Sequence, residues 1–507
     1  MIERRSPRHQ ARPGSTLADG SGRPVTVVHL AAEYFPYART GGLAEAVAGL
    51  ARFQVSAGVR TLALMPLHAA AREVAGPLEP VGDPFEVRLG PRRETARLLR
   101  EVTPRSGARI HFIEHPGFFD RERLYGDQHG DYPDNPERFA FFARAALQAL
   151  PRLVQEPVLL HAHDWHAALA LTYLRTEFAR DPVYAGIRTV LSVHNAGYQG
   201  HYPADTVPRL GLPWDRFHWR ELEWYGKLNL LKSGLVFADA AVTVSPNHSR
   251  ELRTPAGGFG LQEVFDWMGD RFTGILNGID QRVWDPAGDP HIALPYSRND
   301  LTNKAACKTA MQRTFGLAED PDLPVFVMAA RLVTQKGIQI LLDSPALGGL
   351  RAQFIFLGAG EARFEEALTA VARLAPDRMA VHTGFTDHLE HVLMAGADLC
   401  LMPCQYEPCG LTQMRAQRYG ALMVARRVGG LADTIEDGVT GFLFDPFQAE
   451  PLVGALVRAM DLYRQPEEWD RMVREAMARD FSWESSVEEY LALYRQVLEG
   501  TFRCPEA

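Results

Sequence analysis

No apolar run in this 507-residue chain is long enough to cross a bilayer; the longest are strand-length and broken by charge, so no membrane segment is expected. Cysteine is scarce: Cys307, Cys400, Cys404, Cys409 and Cys504 make five, an odd number that argues against a disulfide framework and for reduced thiols in a cytosol. Positive charge is not in excess. A formal net charge of −8 argues against wholesale nucleic-acid binding. The first 24 residues hold five arginines among Ser, Pro and Gly but lack the apolar core of a signal peptide. Glu3 and Asp19 run against a transit peptide, which leaves a disordered basic tail over 1–24 as the expectation.

What is present is an ordinary globular balance in a chain too long for one core, so two or more domains are expected. Short β-branched and apolar runs alternate with helical stretches. Val25–Ala31, Val59–Met65, Ile110–Glu114, Val158–Ala162, Thr189–Val193 and Ala241–Val244 read as strands, then Val325–Ala330, Phe354–Leu357, Met379–Val381, Leu399–Met402 and Met423–Ala425. Strands alternating with helices predict an α/β chain of two Rossmann-like domains with parallel sheets facing a deep cleft. The turn-rich Asn277–Asp289 is the natural hinge, giving domains at 25–280 and 281–478 with a returning C-terminal helix at 479–507. Ligands of such sheets bind beyond the carboxyl ends of the strands.

The chemistry concentrates at those ends. Glu407-Pro-Cys-Gly-Leu-Thr412 joins the strand ending at Pro403 to a helix read from Thr412 to Tyr419 and closed by Gly420. A helix N-terminus suits a phosphate, Gly410 lets backbone approach a ligand, and Glu407 can accept from sugar hydroxyls. Together they describe a sugar-nucleotide site. Arg331 and Lys336 follow another strand, where two cations would stabilise a departing diphosphate; a solvated surface pair would read the same way. Gly41 and Gly42 precede a helix over Ala44–Arg52, as diphosphate donors or as a plain tight turn, and no Lys-Ser/Thr follows them to make a Walker loop. Gly358-Ala-Gly360 lacks the third glycine of a dinucleotide fingerprint, that place holding Arg363, which argues against NAD.

His161-Ala-His-Asp-Trp-His166 raises a metal, but no further ligand set is evident, and structural or sugar-lining roles fit better. Cys400, Cys404 and Cys409 match no zinc spacing. His194, beside Asn195 at a strand end, reads as a ligand contact over a satisfied core histidine. Asp134, in Tyr132-Pro-Asp-Asn135, is a loop carboxylate or a helix cap.

In this order, from about Val25 to about Tyr494, these segments resemble the bacterial glycogen synthases and plant starch synthases. Gly274–Asp280, Gly429–Thr434 and Phe481-Ser-Trp-Glu484 add to the resemblance. It implies the GT-B fold and retaining transfer of glucose from ADP-glucose to the non-reducing 4-hydroxyl of an α-1,4-glucan, with no cofactor and no metal. The catalytic set it implies is Arg331, Lys336, Glu407, His194 and Asp134. The substrate-binding set expected is Arg39, Gly41, Gly42, Asn195, Asn277, Gly360, Cys409, Gly410, Leu411 and Thr412. The chain departs from the family pattern at Arg39 (usually Lys), Glu45 (Asp), Met423 (Pro) and Val428 (Thr). The alternatives are a relative using UDP-glucose or a small acceptor, and a glucan-binding relative without transfer. A glucan phosphorylase would need a pyridoxal phosphate lysine, for which no strong candidate is seen.

Overall fold

Near-continuous apolar runs form strands that are buried on both faces in a computed structural model describing residues 17–103 and 107–502. The chain divides into two compact units. The first takes residues up to Val244, then Ser249–Ile275 and the stretch from Trp483 onward; the second takes Ser245–His248 and Leu276–Ser482. Two of the crossings fall at 275/276 and 482/483, where the two passing segments pair with each other inside the second unit. There the Ile279 N–H donates to the Phe481 carbonyl at 2.8 Å, and Ile279 bridges Ser482.

In the first unit seven parallel strands run in the order Phe272–Gly274, Ala240–Thr243, Arg188–Val193, Val158–His163, Thr26–Leu30, Arg60–Pro66 and Arg109–Glu114. An antiparallel edge of Arg92–Glu101 with Leu78–Pro80 and Phe85–Leu89 extends the sheet. The sequence pattern gave no sign of this edge. Only Ala96, Leu98 and Glu101 of Arg92–Glu101 are buried, and its exposed positions are Arg92, Arg93, Thr95, Arg97 and Arg100. The order reverses between Val158–His163 and Thr26–Leu30, a switch point at which loops part and leave a crevice.

In the second unit six parallel strands run Met379–His382, Gln353–Leu357, Val325–Ala329, Leu399–Met402, Leu422–Arg426 and Gly441–Phe444. Here the switch point lies between Val325–Ala329 and Leu399–Met402. The loops leaving these two strands are the ones that carry Arg331, Lys336 and Glu407. Gly441 opens the edge strand.

The helix Trp483–Glu499 buries Trp483, Val487, Tyr490, Leu491, Tyr494 and Val497, a stripe at helical spacing. It packs in one cluster with Val27, Leu50, Phe53 and Leu17. A side chain at Gly49 would collide with the Trp483 indole. The basic tail therefore ends earlier than Pro24. Leu17 is 1% exposed and its carbonyl accepts from the Val25 N–H at 2.8 Å, because a buried leucine contributes about 2 kcal/mol and holds the strand's approach. Residues 1–16 lie outside the described residues. No helix among the described residues is long and apolar enough to cross a membrane.

Candidate active site

In the second unit the Lys336 ammonium donates to Glu407 Oε2, a pair with side chains 15% and 9% exposed. The Cys404 thiol donates to the same oxygen at 3.5 Å. Oε1 of Glu407 has no partner among the described residues, leaving one carboxylate oxygen to accept from a ligand hydroxyl. Burial alone would lower the Lys336 pKa, but the Glu407 charge more than offsets it and holds the ammonium above its ordinary value. Arg331 is exposed, and its guanidinium has no partner among the described residues. A fixed cation and a poised one therefore leave the same strand.

Backbone geometry holds this pair. Gly337 sits at φ +73° and Gly429 at φ +45°, and a Cβ on them would overlap the carbonyl oxygens of Pro403 and Glu407 respectively. The Gly430 N–H donates to the Glu407 carbonyl at 3.1 Å. The amides of Gly410, Leu411 and Thr412, all partly exposed, find no acceptor among the described residues. They open the helix Thr412–Arg418, one residue shorter than expected. Gln413 clamps this turn from behind, donating to the Cys409 and Gly410 carbonyls at 2.8 and 3.0 Å.

Cys409 is buried, burial pushes its thiol up to about 12, and its sulfur accepts the Asn277 N–H. Its side chain is structural, so any ligand contact there is through backbone. Burial likewise pushes the Cys400 thiol up to about 12. Gly360 is also occupied: its N–H donates to Glu365 Oε1 at 2.7 Å, and a Cβ there would overlap the Leu332 carbonyl. The glycine is there for the close passage of two loops. Glu361, which sequence reasoning left without a role, accepts from Thr334 N–H at 2.8 Å and so holds the Arg331–Gly337 loop.

The first unit gathers its own set around its switch point. Gly41 and Gly42 are exposed at the start of the helix Gly42–Ser56, with open space where side chains would stand. Arg39 lies 3.5 Å from Glu45 and over the Phe35 ring. The loop is tied by Glu33, which sequence reasoning missed. Its carboxylate accepts from Thr40 N and Oγ1 at 2.6 and 2.7 Å and from the Tyr125 hydroxyl at 2.6 Å. Nothing in the Ala-Ala-Glu that follows the strand Thr26–Leu30 marks this buried carboxylate for that role.

Asp134 precedes the helix Asn135–Leu153 without capping it through its side chain. Instead it grips Arg121 with both oxygens, at 2.8 and 2.6 Å, and this bond raises the guanidinium pKa. Asn135 donates to the Tyr125 carbonyl at 2.8 Å, which couples the Asp134 turn to the residue that holds Glu33.

His194 leaves the strand Arg188–Val193 half-buried. Its backbone N–H donates to Asp164 Oδ1 at 2.7 Å, and Asp164 stands in the left-handed region at φ 55°. Burial raises the Asp164 carboxyl to about 7 against the bonds from the His194 and Asn195 amides. The Asn195 side chain accepts from Gly197 N–H at 2.9 Å. His161 and His163 point the same way, as two positions apart on a strand must, and their rings stack at 4.3 Å. His166 instead packs between Trp165 and Tyr125.

Two parallel-sheet units, each with its polar groups at a switch point, define a glycosyltransferase of the GT-B fold. The family described as Glycosyl transferases group 1 matches residues 312–476, and that described as Starch synthase catalytic domain matches residues 26–267. The chain belongs to the glycogen and starch synthase family. It is 42% identical to the glycogen synthase of Anaeromyxobacter dehalogenans (strain 2CP-1 / ATCC BAA-258), covering 94% of this chain and 100% of that one. Glycogen synthase 2 of Geobacter sulfurreducens is 40% identical over 94% of this chain and 99% of its own. The catalytic domain of starch synthase IV from Arabidopsis thaliana, solved with ADP and acarbose, superposes with a TM-score of 0.84 at 30% identity, covering 93% of this chain and 99% of that one.

Proposed function

We propose that this glycogen synthase-family enzyme moves glucose from ADP-glucose to the non-reducing 4-hydroxyl of an α-1,4-glucan, keeping the anomeric configuration. The observation that carries the reading is the Lys336–Glu407 pair beside the unpartnered Arg331 and the open amides of residues 410–412. Cations and amides suit a diphosphate; a carboxylate with one free oxygen suits a sugar. The Arabidopsis relative bound to ADP and acarbose supports a nucleotide and a saccharide as ligands of this fold.

In this reading the bond between the anomeric carbon and the diphosphate breaks as negative charge builds on the leaving group. Arg331 and Lys336 stabilise that charge without reorganising. Glu407 Oε1 and His194 hold the glucose hydroxyls, and the amides of Gly41, Gly42 and Thr412 hold phosphate or sugar oxygens. The acceptor hydroxyl attacks from the face the diphosphate leaves, and a departing phosphate oxygen takes its proton. Asp134 keeps the nearby turn in place through Arg121. Catalysis comes from positioning and fixed charge, which needs no protein nucleophile.

Transfer of labelled glucose from ADP-glucose, beside UDP-glucose, onto a glycogen primer tests this, with Arg331→Ala as the control. Incorporation from ADP-glucose that Arg331→Ala cuts by roughly 10²–10³ is expected. Incorporation from UDP-glucose alone overturns the donor, and none from either overturns the transfer.

A further inference from the structure

A chain of hydrogen bonds runs inward from His194 and does not stop at its neighbour. His194 Nε2 lies 3.0 Å from His163 Nδ1, His163 Nε2 lies 2.9 Å from His29 Nδ1, and His29 Nε2 lies 2.8 Å from Gln54 Oε1. Gln54 Nε2 then donates to the Tyr494 hydroxyl at 3.0 Å. That oxygen lies 2.7 Å from His161 Nδ1, whose Nε2 is 2.7 Å from Ser192 Oγ. His29, His161, His163, Gln54 and Tyr494 are at most 1% exposed.

The ring nitrogens of His29, His161 and His163 come within 4.8 Å of one another, close enough to suggest a metal. Each of those six nitrogens already has a hydrogen-bond partner, so a metal would have to break the chain rather than fill a vacancy.

Burial keeps these imidazoles neutral: His29 is lowered to about 4 and His194 to about 3, and His161 and His163 lie well below the ordinary value. A neutral imidazole has one donor and one acceptor, so fixing one ring fixes the next. Two directions are self-consistent, and the spacings choose between them. The 3.0 Å contact of Gln54 with Tyr494 fits an amide N–H donor, whereas a phenol donating to a carbonyl would sit at about 2.7–2.8 Å. The 2.8 Å contact with His29 fits a ring N–H donating to the carbonyl. The Thr61 hydroxyl, with one proton to give, stands 3.4 Å from the same Oε1 and 3.3 Å from the Val59 carbonyl.

We infer that Gln54, oriented by Tyr494 and acting through His29 and His163, locks His194 as the Nε2–H tautomer, so that His194 presents a bare Nδ1 as hydrogen-bond acceptor to a ligand hydroxyl. His29 must donate from Nε2 and accept at Nδ1; His163 then donates from Nε2 and accepts at Nδ1; His194 must therefore donate from Nε2. Its Nδ1 has no partner among the described residues. Gln54, His29 and His163 are positioning residues, and Tyr494 makes the C-terminal helix part of the device. That the hydroxyl belongs to a sugar rests on the transfer reading above; the tautomer does not.

Ring-nitrogen NMR of the full chain with labelled histidine reads the tautomer directly and needs no transfer assay. The His194 signals are assigned by their loss in His194→Asn. A single species with protonated Nε2 and bare Nδ1 is expected at His194, His163 and His29. The reverse tautomer, or a mixture, at His194 in the wild-type chain overturns the inference. In Gln54→Leu the His194 Nδ1 and Nε2 signals should each move toward the midpoint between bare and protonated values. Unmoved signals in a folded Gln54→Leu chain would show that the tautomer is set elsewhere and also overturn it. A merely structural role for Gln54 would leave those signals in place.

Discussion

The Arg39 guanidinium stands 3.5 Å from the Glu45 carboxylate, and both are positions where the sequence reading expects a departure from the glycogen and starch synthase pattern. The departures therefore touch each other. With side chains 41% and 30% exposed, the pair adds little to stability, at most about 1 kcal/mol. Its effect falls on charge near the paired glycines. Glu45→Gln should lower the KM for the nucleotide sugar by no more than about fivefold, because it removes a carboxylate that competes with phosphate for Arg39. The effect should fade as salt is raised. An increase in KM would show that Glu45 positions Arg39 rather than competes for it.

Arg331 and Lys336 should separate in their effect on stability while agreeing in their effect on rate. Each alanine or methionine variant should lose roughly 10²–10³ in kcat. Arg331→Ala should keep its thermal midpoint, since the guanidinium has no partner to lose. Lys336→Met should also cost about 3 kcal/mol, because it strands the buried Glu407 charge. Calorimetry beside steady-state kinetics makes the comparison; equal stabilities would remove the pairing argument.

Gly429→Ala should inactivate without touching any polar side chain. The alanine must adopt φ near +45° and clear the Glu407 carbonyl, which costs about 1–3 kcal/mol and moves Glu407. Gly41→Ala, where nothing lies within 4 Å of the new methyl, should leave stability unchanged. If Gly429→Ala retains full activity, Glu407 does not depend on that turn.

Acid should unfold the first unit in a set direction. His29 and His194 titrate at about 4 and about 3 when folded, and His161, His163 and His166 are also lowered, all by burial, from 6.5. The unfolded chain takes up protons first, so stability is full above about pH 6.5 and falls as the pH drops toward the folded values. Each such histidine contributes a slope of about 1.4 kcal/mol per pH unit. Asp164, raised to about 7, and Glu489, also raised by burial, work the other way, but these five histidines are joined by His68 and His111, which burial lowers to about 3 and about 4. Denaturant midpoints measured from pH 7 to pH 4 should fall steeply; a flat profile would mean that these rings are not neutral when folded.

Strands such as Leu399–Met402 were legible because a strand buried on both faces is a bare apolar run. The hairpin Phe85–Leu89 with Arg92–Glu101 was not, because one wet face dilutes its pattern with arginine and glutamate. The residues that meet the donor in the proposed reaction stood out as charges or glycines directly after strands. Those that hold them did not. Glu33, Glu361 and Gln54 act across 7 to 440 positions of sequence, and a lone carboxylate or amide carries no local mark of such a partner. Gly360, expected in the substrate-binding set, has its amide bonded to Glu365, a partner five positions on that its Gly-Ala-Gly run does not announce.

The helix Trp483–Glu499 belongs to the unit whose strands begin at Thr26. As the polypeptide leaves the ribosome, the first sheet emerges with Leu50, Phe53 and the notch at Gly49 exposed, and the whole second unit must be made before Trp483 arrives to fill it. The order of synthesis therefore gives the second unit a chance to fold on its own before the first can finish. A nascent chain arrested before residue 483 would display a greasy, unfinished surface to chaperones and proteases, which the helix Trp483–Glu499 covers once it is made.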